Sequence, residues 1–241
     1  MTDRSARGFV RRLEAHRSAE ELKKIQRYFK SGQGEYGEGD VFMGVRMGQV
    51  FALAKEFIDM PPSEVEELLE SRIYEVRAGG LSIMDKQARR KKTPESRRKE
   101  LYELYMKRHD RINNWDLVDV SAQFVVGGYL FDKPRDVLYR LARSKNMWKR
   151  RTAIVSTAYF IRQGDLDDTF RIAEMLLTDR QDLIHKAVGG WLRAAGTVDR
   201  PRMLAFLDKH ASSMPRVTLR YAIEHLDKAQ REHYMSQKRV D

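Results

Sequence analysis

The sequence predicts an all-α protein built from stacked helix pairs, and three observations carry that prediction. Strand-like alternation of apolar and polar residues is nearly absent from the 241 residues. The six prolines (Pro61, Pro62, Pro94, Pro134, Pro201 and Pro215) fall at breaks between periodic segments or in a first helical turn, where a missing N–H does no harm. In the second half of the chain, helix starts recur near Trp115, Trp148, Gln181 and Pro215, which are 33, 33 and 34 residues apart.

Residues 4–30 read as two short helices, with Ser18 and Glu21 forming a capping-box pattern at the second. Residues 31–40 hold four glycines and read as a loop. Helices follow at about 46–59 and 63–78. Ser63 with Glu66 repeats the capping signature at the second of these, and Gly79-Gly80 marks its interruption or end. Thr93-Pro94 opens a further helix that runs to about His109. Beyond it, a short element recurs in three units: Arg151-Thr152-Ala153-Ile154, His185-Lys186-Ala187-Val188 and Arg220-Tyr221-Ala222-Ile223. A small residue at one helical position per repeat lets neighbouring helices approach. A helix pair of this length cannot bury its apolar face alone and must stack on the next. The expected architecture is therefore an α-solenoid of short HEAT-like helix pairs with a concave, basic face. It is read as one domain over 1–241, made of N-terminal helices (1–110), regular repeats (111–226) and a short C-terminal tail (227–241).

The net charge of +11 points to a polyanionic partner. Residues 137–164 contain no Asp or Glu but carry Arg140, Arg143, Lys145, Lys149, Arg150, Arg151 and Arg162. A second cluster, Lys86, Arg89, Arg90, Lys91, Lys92, Arg97, Arg98 and Lys99, has only Glu95 against it. Two such runs on a curved scaffold read as a phosphate-tracking groove. They lack the amphipathic face with Trp, Phe and Leu that would enter lipid, so no membrane partner is expected. With no cysteine, neither a disulfide nor a thiolate metal site is available, and the six histidines form no close ligand pair. No metal and no cofactor are expected. The N-terminus has no apolar run and no stretch approaches eighteen apolar residues, so the expected setting is a reducing cytoplasm, that of a bacterial-type cytosol.

The stretch Asn113-Asn114-Trp115-Asp116-Leu117-Val118-Asp119 reads as a helix start capped by Asn113 or Asn114. Trp115 and Asp119, four apart, share one helical face. An aromatic beside a carboxylate on a basic protein is either a packed tryptophan with a helix-stabilising acid, or a site for something flat and cationic. Asp116 reads as the acid that complements the helix N-terminus.

With these residues collected, the chain resembles the AlkD-like family of DNA alkylation repair enzymes over most of its length. Trp115-Asp116-Leu117-Val118-Asp119 is similar to that family's Trp-Asp-x-Val-Asp element. Trp148-Lys149-Arg150-Arg151-Thr152-Ala153-Ile154 is similar to its Trp-x-Arg-Arg-x-Ala-Ile element. Phe42-Met43-Gly44-Val45-Arg46, Tyr28-Phe29-Lys30 and Tyr74-Glu75-Val76-Arg77 resemble, in turn, an early turn, a segment whose tyrosine approaches DNA, and a scaffold helix. The resemblance implies a monomeric, metal-free, monofunctional glycosylase acting on N3- and N7-alkylated purines in double-stranded DNA. Asp119 would be the catalytic carboxylate, Trp115 would line the site, and Arg151 would face the lesion and its phosphates and help hold Asp119 ionised. Tyr28, Arg46, Lys149, Arg150, Lys186, Gly190, Trp191 and Arg193 would contact DNA. One departure stands out. Where the family often reads Lys-Ala-Ile-Gly-Trp-x-Leu-Arg, this chain reads Lys186-Ala187-Val188-Gly189-Gly190-Trp191-Leu192-Arg193. One residue rotates a helical side chain by about 100°, so Trp191 is expected to turn towards the core. The alternative this departure supports is a non-catalytic HEAT-like protein that recognises damaged, bent or branched DNA by shape.

Overall fold

The computed structural model describes residues 4–29, 32, 33, 35 and 37–237. Lys30, three residues of the expected 31–40 loop (Ser31, Gly34 and Tyr36) and the last four residues of the expected tail lie outside the described residues. The chain divides into two compact units, Met1–Tyr129 and Leu130–Asp241. Among the described residues there is no strand, only an isolated bridge between Val41 and Ile73.

The first unit contains α1 (Ala6–Glu14), α2 (Ala19–Tyr28), α3 (Met47–Glu56), α4 (Pro62–Glu70), α5 (Tyr74–Arg89) and α6 (Glu95–Lys107). A 3-10 turn (His109–Arg111) follows, then α7 (Trp115–Ala122), which runs through a π turn (Gln123–Gly127) into a last helical turn, α8 (Gly128–Leu130). Helix α5 is the centre of this unit. It is buried on nearly every side, and α3, α4, α6 and α7 all pack against it. A helix buried all round can carry charged residues only if each finds a partner, and Glu75, Arg77 and Asp85 are the charged residues it buries.

Three expectations need correction here. The helix expected at 63–78 is two helices, broken at Ser71, which adopts an extended conformation. Gly79 and Gly80 neither end nor interrupt a helix but sit inside α5. A Cβ on Gly79 would stand 2.4 Å from Cζ of the fully buried Phe9, and one on Gly80 would stand 3.2 Å from Leu68 Cβ. Close packing of α1 and α4 on α5 needs these glycines, and that tertiary demand overrides their local tendency to break helices. Likewise Ser63 is not a cap: α4 starts with Pro61 at its N-cap and Pro62 in its first turn, and Glu66 pairs with Lys107 instead.

The second unit contains α9 (Asp136–Ala142), α10 (Met147–Arg162), α11 (Asp167–Leu176), α12 (Asp182–Val198), α13 (Arg200–His210), α14 (Arg216–Ala222) and α15 (Lys228–Ser236). Helices α10, α12 and α14 begin where the 33- to 34-residue spacing puts them. Each packs on its neighbours: α10 against α9, α11 and α12, and α12 against α11, α13 and α14. The repeated alanines Ala153, Ala187 and Ala222 are all buried, as a close helix approach requires. The expected all-α fold of stacked helix pairs is the one observed.

Candidate functional site

Helix α7 starts where its cap residue dictates. The Asn114 side-chain oxygen accepts the Trp115 N–H at 2.8 Å, and Asn114 itself is fully buried. Asp116 Oδ1 accepts the Leu117 N–H at 2.9 Å. A buried ion pair holds this helix start from below: Arg77 on α5 donates to Asp40 Oδ1 at 2.6 Å and to Asn113 Oδ1 at 3.1 Å. Asn113 in turn donates to Asp40 at 3.1 Å. The same guanidinium donates to the Ser71 and Arg72 carbonyls, both at 3.1 Å, so one residue ties the end of α4, the Asp40 loop and the entry to α7 together.

Above this network Trp115 is half-buried. Its ring meets Tyr28 edge-on at 6.1 Å and lies tilted against Phe29, also at 6.1 Å. Phe29 is buried and stacks on Phe42 at 5.7 Å and against Tyr74 at 4.8 Å. Tyr28 is 65% exposed. The structure thus brings together Tyr28 and Trp115, which are 87 positions apart in the chain, as a continuous aromatic wall with one member open to solvent. Arg46 is exposed and pairs with Glu21 at 2.8 Å, so Glu21 turns to Arg46 and Lys24 instead of closing a reciprocal capping box. The Ser18 hydroxyl does accept the Glu21 N–H, at 3.3 Å.

Sequence reasoning passed over Glu75 as scaffold. Its carboxylate, with no solvent exposure, accepts the N–H groups of Met43 at 2.9 Å, Gly44 at 2.8 Å and Val45 at 3.3 Å. It therefore shapes the turn that carries Phe42 and Arg46. Gly44 sits at φ +85, and a Cβ there would stand 2.5 Å from the Ser18 carbonyl, so only glycine suits this position. The signal was present: an acid and an arginine two apart, in a stretch from Tyr74 to Met84 otherwise made of apolar and small residues, must have buried partners.

The three carboxylates of this region have different environments. Asp40 is paired with Arg77. Burial pushes the Asp116 carboxyl up to about 7, with further upward pressure from Asp119 and Asp40, and hydrogen bonds from backbone N–H groups oppose the rise. Asp119 is exposed, on the same helical face as Trp115. Of the three, Asp119 is the acid presented at the surface.

In the second unit, Trp148 is buried at the start of α10, in the packing role expected of it. Asn146 caps that helix, accepting from Trp148 N–H at 2.8 Å. Arg150 grips Asp179 through Nε at 2.5 Å and Nη2 at 3.1 Å, and also donates to the Ser144 and Lys145 carbonyls. Arg151 is buried and donates to the Leu183 carbonyl of α12 at 2.6 Å. Both guanidinium groups turn to the protein. Lys149 is partly exposed. Lys186 pairs with Asp182 at 2.7 Å and Arg193 pairs with Glu224. Helix α12 is regular, so Trp191 is rotated away from the position of Gly190. It does not reach the core, however: Trp191 is partly exposed, a correction to the inward turn expected of it. A Cβ on Gly190 would meet nothing within 4 Å.

The basic cluster at 86–99 is largely engaged by the fold. Arg89 pairs with Asp85, Arg90 with Asp59, Arg97 with Glu100 and Lys99 with Glu103. Arg98 closes the α5–α6 turn by donating to the Ala88, Arg90 and Thr93 carbonyls. Arg98 is thus committed to the fold, whereas the ion pairs of Arg89, Arg90, Arg97 and Lys99 are partly open to solvent.

The model of the family described as DNA alkylation repair enzyme matches residues 9–226, and the chain belongs to that family. Among solved structures it is similar to a predicted DNA alkylation repair enzyme from Enterococcus faecalis, with 16% identity, a TM-score of 0.71, and coverage of 88% of this chain and 98% of that one. It is also similar to AlkD2 from Streptococcus mutans, with 18% identity, a TM-score of 0.50, and coverage of 92% and 100%. At these identities the likeness is one of fold. No curated protein matches the chain. Family membership makes DNA repair its role and DNA its partner, as the motifs led one to expect.

Proposed function

We propose that the protein is a monofunctional DNA glycosylase that hydrolyses the N-glycosidic bond of N3- and N7-alkylated purines in duplex DNA, acting as a monomer in the cytoplasm. The observation that carries this reading is the exposed Asp119 carboxylate on the face of α7 that also carries Trp115, with the open Tyr28 ring against that tryptophan. Such a carboxylate repels the DNA backbone, so its place in a basic DNA-repair protein calls for a compensating role.

The chemistry offers one. Cleavage of the glycosidic bond builds positive charge on the sugar. Alkylation at N3 or N7 has already made the purine cationic, so it departs without a general acid. One ionised carboxylate then stabilises the oxocarbenium-like transition state and positions a water at C1′. Trp115 offers an electron-rich surface to the cationic base and sugar, and Tyr28 extends that surface outward. Asp116 holds the helix start. Arg46, Lys149, Lys186, Trp191 and Arg193 contact the DNA backbone, and Arg150 and Arg151 serve the scaffold.

Incubation with methylated duplex DNA, followed by chromatography of the small-molecule fraction, tests the reading: free methylated purine is the expected product. The second reading is a protein that binds damaged, bent or branched DNA by shape without breaking bonds, and the open space at Gly190, where no side chain reaches out, favours it. It predicts salt-sensitive binding with no base release.

A further inference from the structure

Helices α12 and α14 meet at a glycine. A Cβ on Gly189 would stand 2.5 Å from the Thr218 carbonyl oxygen and 2.6 Å from Tyr221 Cβ, so the two helices touch there backbone to side chain. One residue further along α12, Gly190 faces open space. Beside this contact lies a groove of about 770 Å³ lined by Lys186, Arg193, Arg220 and Tyr221, with Asp182 and Glu224 among them. Lys186, Gly190 and Arg193 are spaced by four and three, which puts them on one face of α12. Tyr221 is 38% exposed, and its Cβ lies against Gly189, so its root is held at the helix contact while part of the side chain is open to solvent.

The charges in the groove are unequal. Lys186 is tied to Asp182 and Arg193 to Glu224, in pairs that are partly open to solvent. Arg220 is exposed and has no carboxylate partner among the described residues. Surface ion pairs of this kind are weak, so a phosphate can replace either acid at small cost. A partly exposed aromatic side chain and arginines within one groove, with an open glycine position on the same helix face as Lys186 and Arg193, are the parts that single-stranded or unstacked nucleotides use. The base stacks on the ring and the phosphates lie on the cations. Bases within a duplex are already stacked on one another, so only an unpaired nucleotide presents a free ring face.

We propose that the α12–α14 groove is a subsite for an unpaired nucleotide. Tyr221 stacks on its base and Arg220, with Lys186 and Arg193, holds the adjoining phosphates. This rests on the reading of the protein as one that binds duplex DNA.

The test is a fluorescence anisotropy titration of the full chain with two labelled duplexes of one sequence, one fully paired and one carrying a single bulged nucleotide. The wild type should prefer the bulged duplex. Tyr221→Ala should lose about tenfold on the bulged duplex, the usual range for one stacked base, and little on the paired one, whereas Tyr221→Phe should keep the preference. Gly190→Leu, which the open space accommodates without strain on the fold, should also reduce the preference by crowding the Lys186–Arg193 face of α12. Equal binding of the two duplexes by the wild type, or an unchanged preference in Tyr221→Ala, overturns the subsite and leaves duplex binding standing. Failure of both duplexes to bind at low salt overturns the DNA-binding reading itself, and the subsite with it.

Discussion

Replacing Asp116 by asparagine tests the electrostatic division of labour along α7. Burial raises the Asp116 carboxyl from its ordinary value of 3.8 to about 7. In the folded protein the group therefore keeps its proton over a pH range in which the unfolded chain has lost it. Stability linked to this group is fully present below about pH 4 and is lost as the pH rises through 7. About three units at about 1.4 kcal/mol each set an upper limit near ~4 kcal/mol. Part of Asp116 reaches the surface, so roughly half of that, about 2 kcal/mol, is the expected total; more than a third of it is gone by pH 5, which leaves about 1.3 kcal/mol to be lost between about pH 5 and 8. The substituted amide cannot ionise and keeps an oxygen for the Leu117 N–H. Urea unfolding of wild type and Asp116→Asn at the two pH values reads this directly. The stability of the variant relative to the wild type should rise by about 1.3 kcal/mol between about pH 5 and 8. A difference that stays the same at both pH values refutes a buried, near-neutral Asp116. Base release should survive the substitution, because the surface carboxylate is Asp119.

The scaffold predictions follow from buried contacts. Glu75→Gln leaves an amide N–H₂ facing backbone N–H groups of the Met43–Val45 turn and should cost about 2–3 kcal/mol, measurable by thermal unfolding. It should also weaken DNA binding through Arg46. Gly79→Ala places a methyl 2.4 Å from the Phe9 ring and should destabilise by about 1–3 kcal/mol, whereas the same change at Gly190, which faces open space, should be neutral or stabilising. Arg77→Met removes the partner of buried Asp40 and should cost about 3–5 kcal/mol, because it leaves an uncompensated charge beneath the start of α7.

Much of the fold was legible because its signals are local. Asn114 caps α7, Ser18 caps α2, and the prolines stand at helix starts. The repeat spacing holds because each unit reproduces the same packing of α10, α12 and α14. What was not legible depends on residues distant in sequence. Gly79 and Gly80 read as a break because nothing nearby shows that Phe9 and Leu68 press on them. The contacts of Arg150 with Asp179 and of Arg151 with the Leu183 carbonyl were not legible, because those partners lie about thirty residues away. Of the candidate site, the Trp115–Asp119 spacing came from helical geometry alone. The contact of Tyr28 with Trp115, and the Glu75 and Arg77 supports beneath them, needed the fold.

The central claim is that Asp119 performs chemistry and does not merely sit in the surface of a DNA-binding protein. Wild type and Asp119→Asn should be compared for release of free base from methylated duplex DNA, with binding to the same duplex measured in parallel. The account predicts release by the wild type and at least a hundredfold slower release by the variant, on the order expected when a transition-state charge partner is removed, with binding retained or strengthened. Release by Asp119→Asn at the wild-type rate would contradict it.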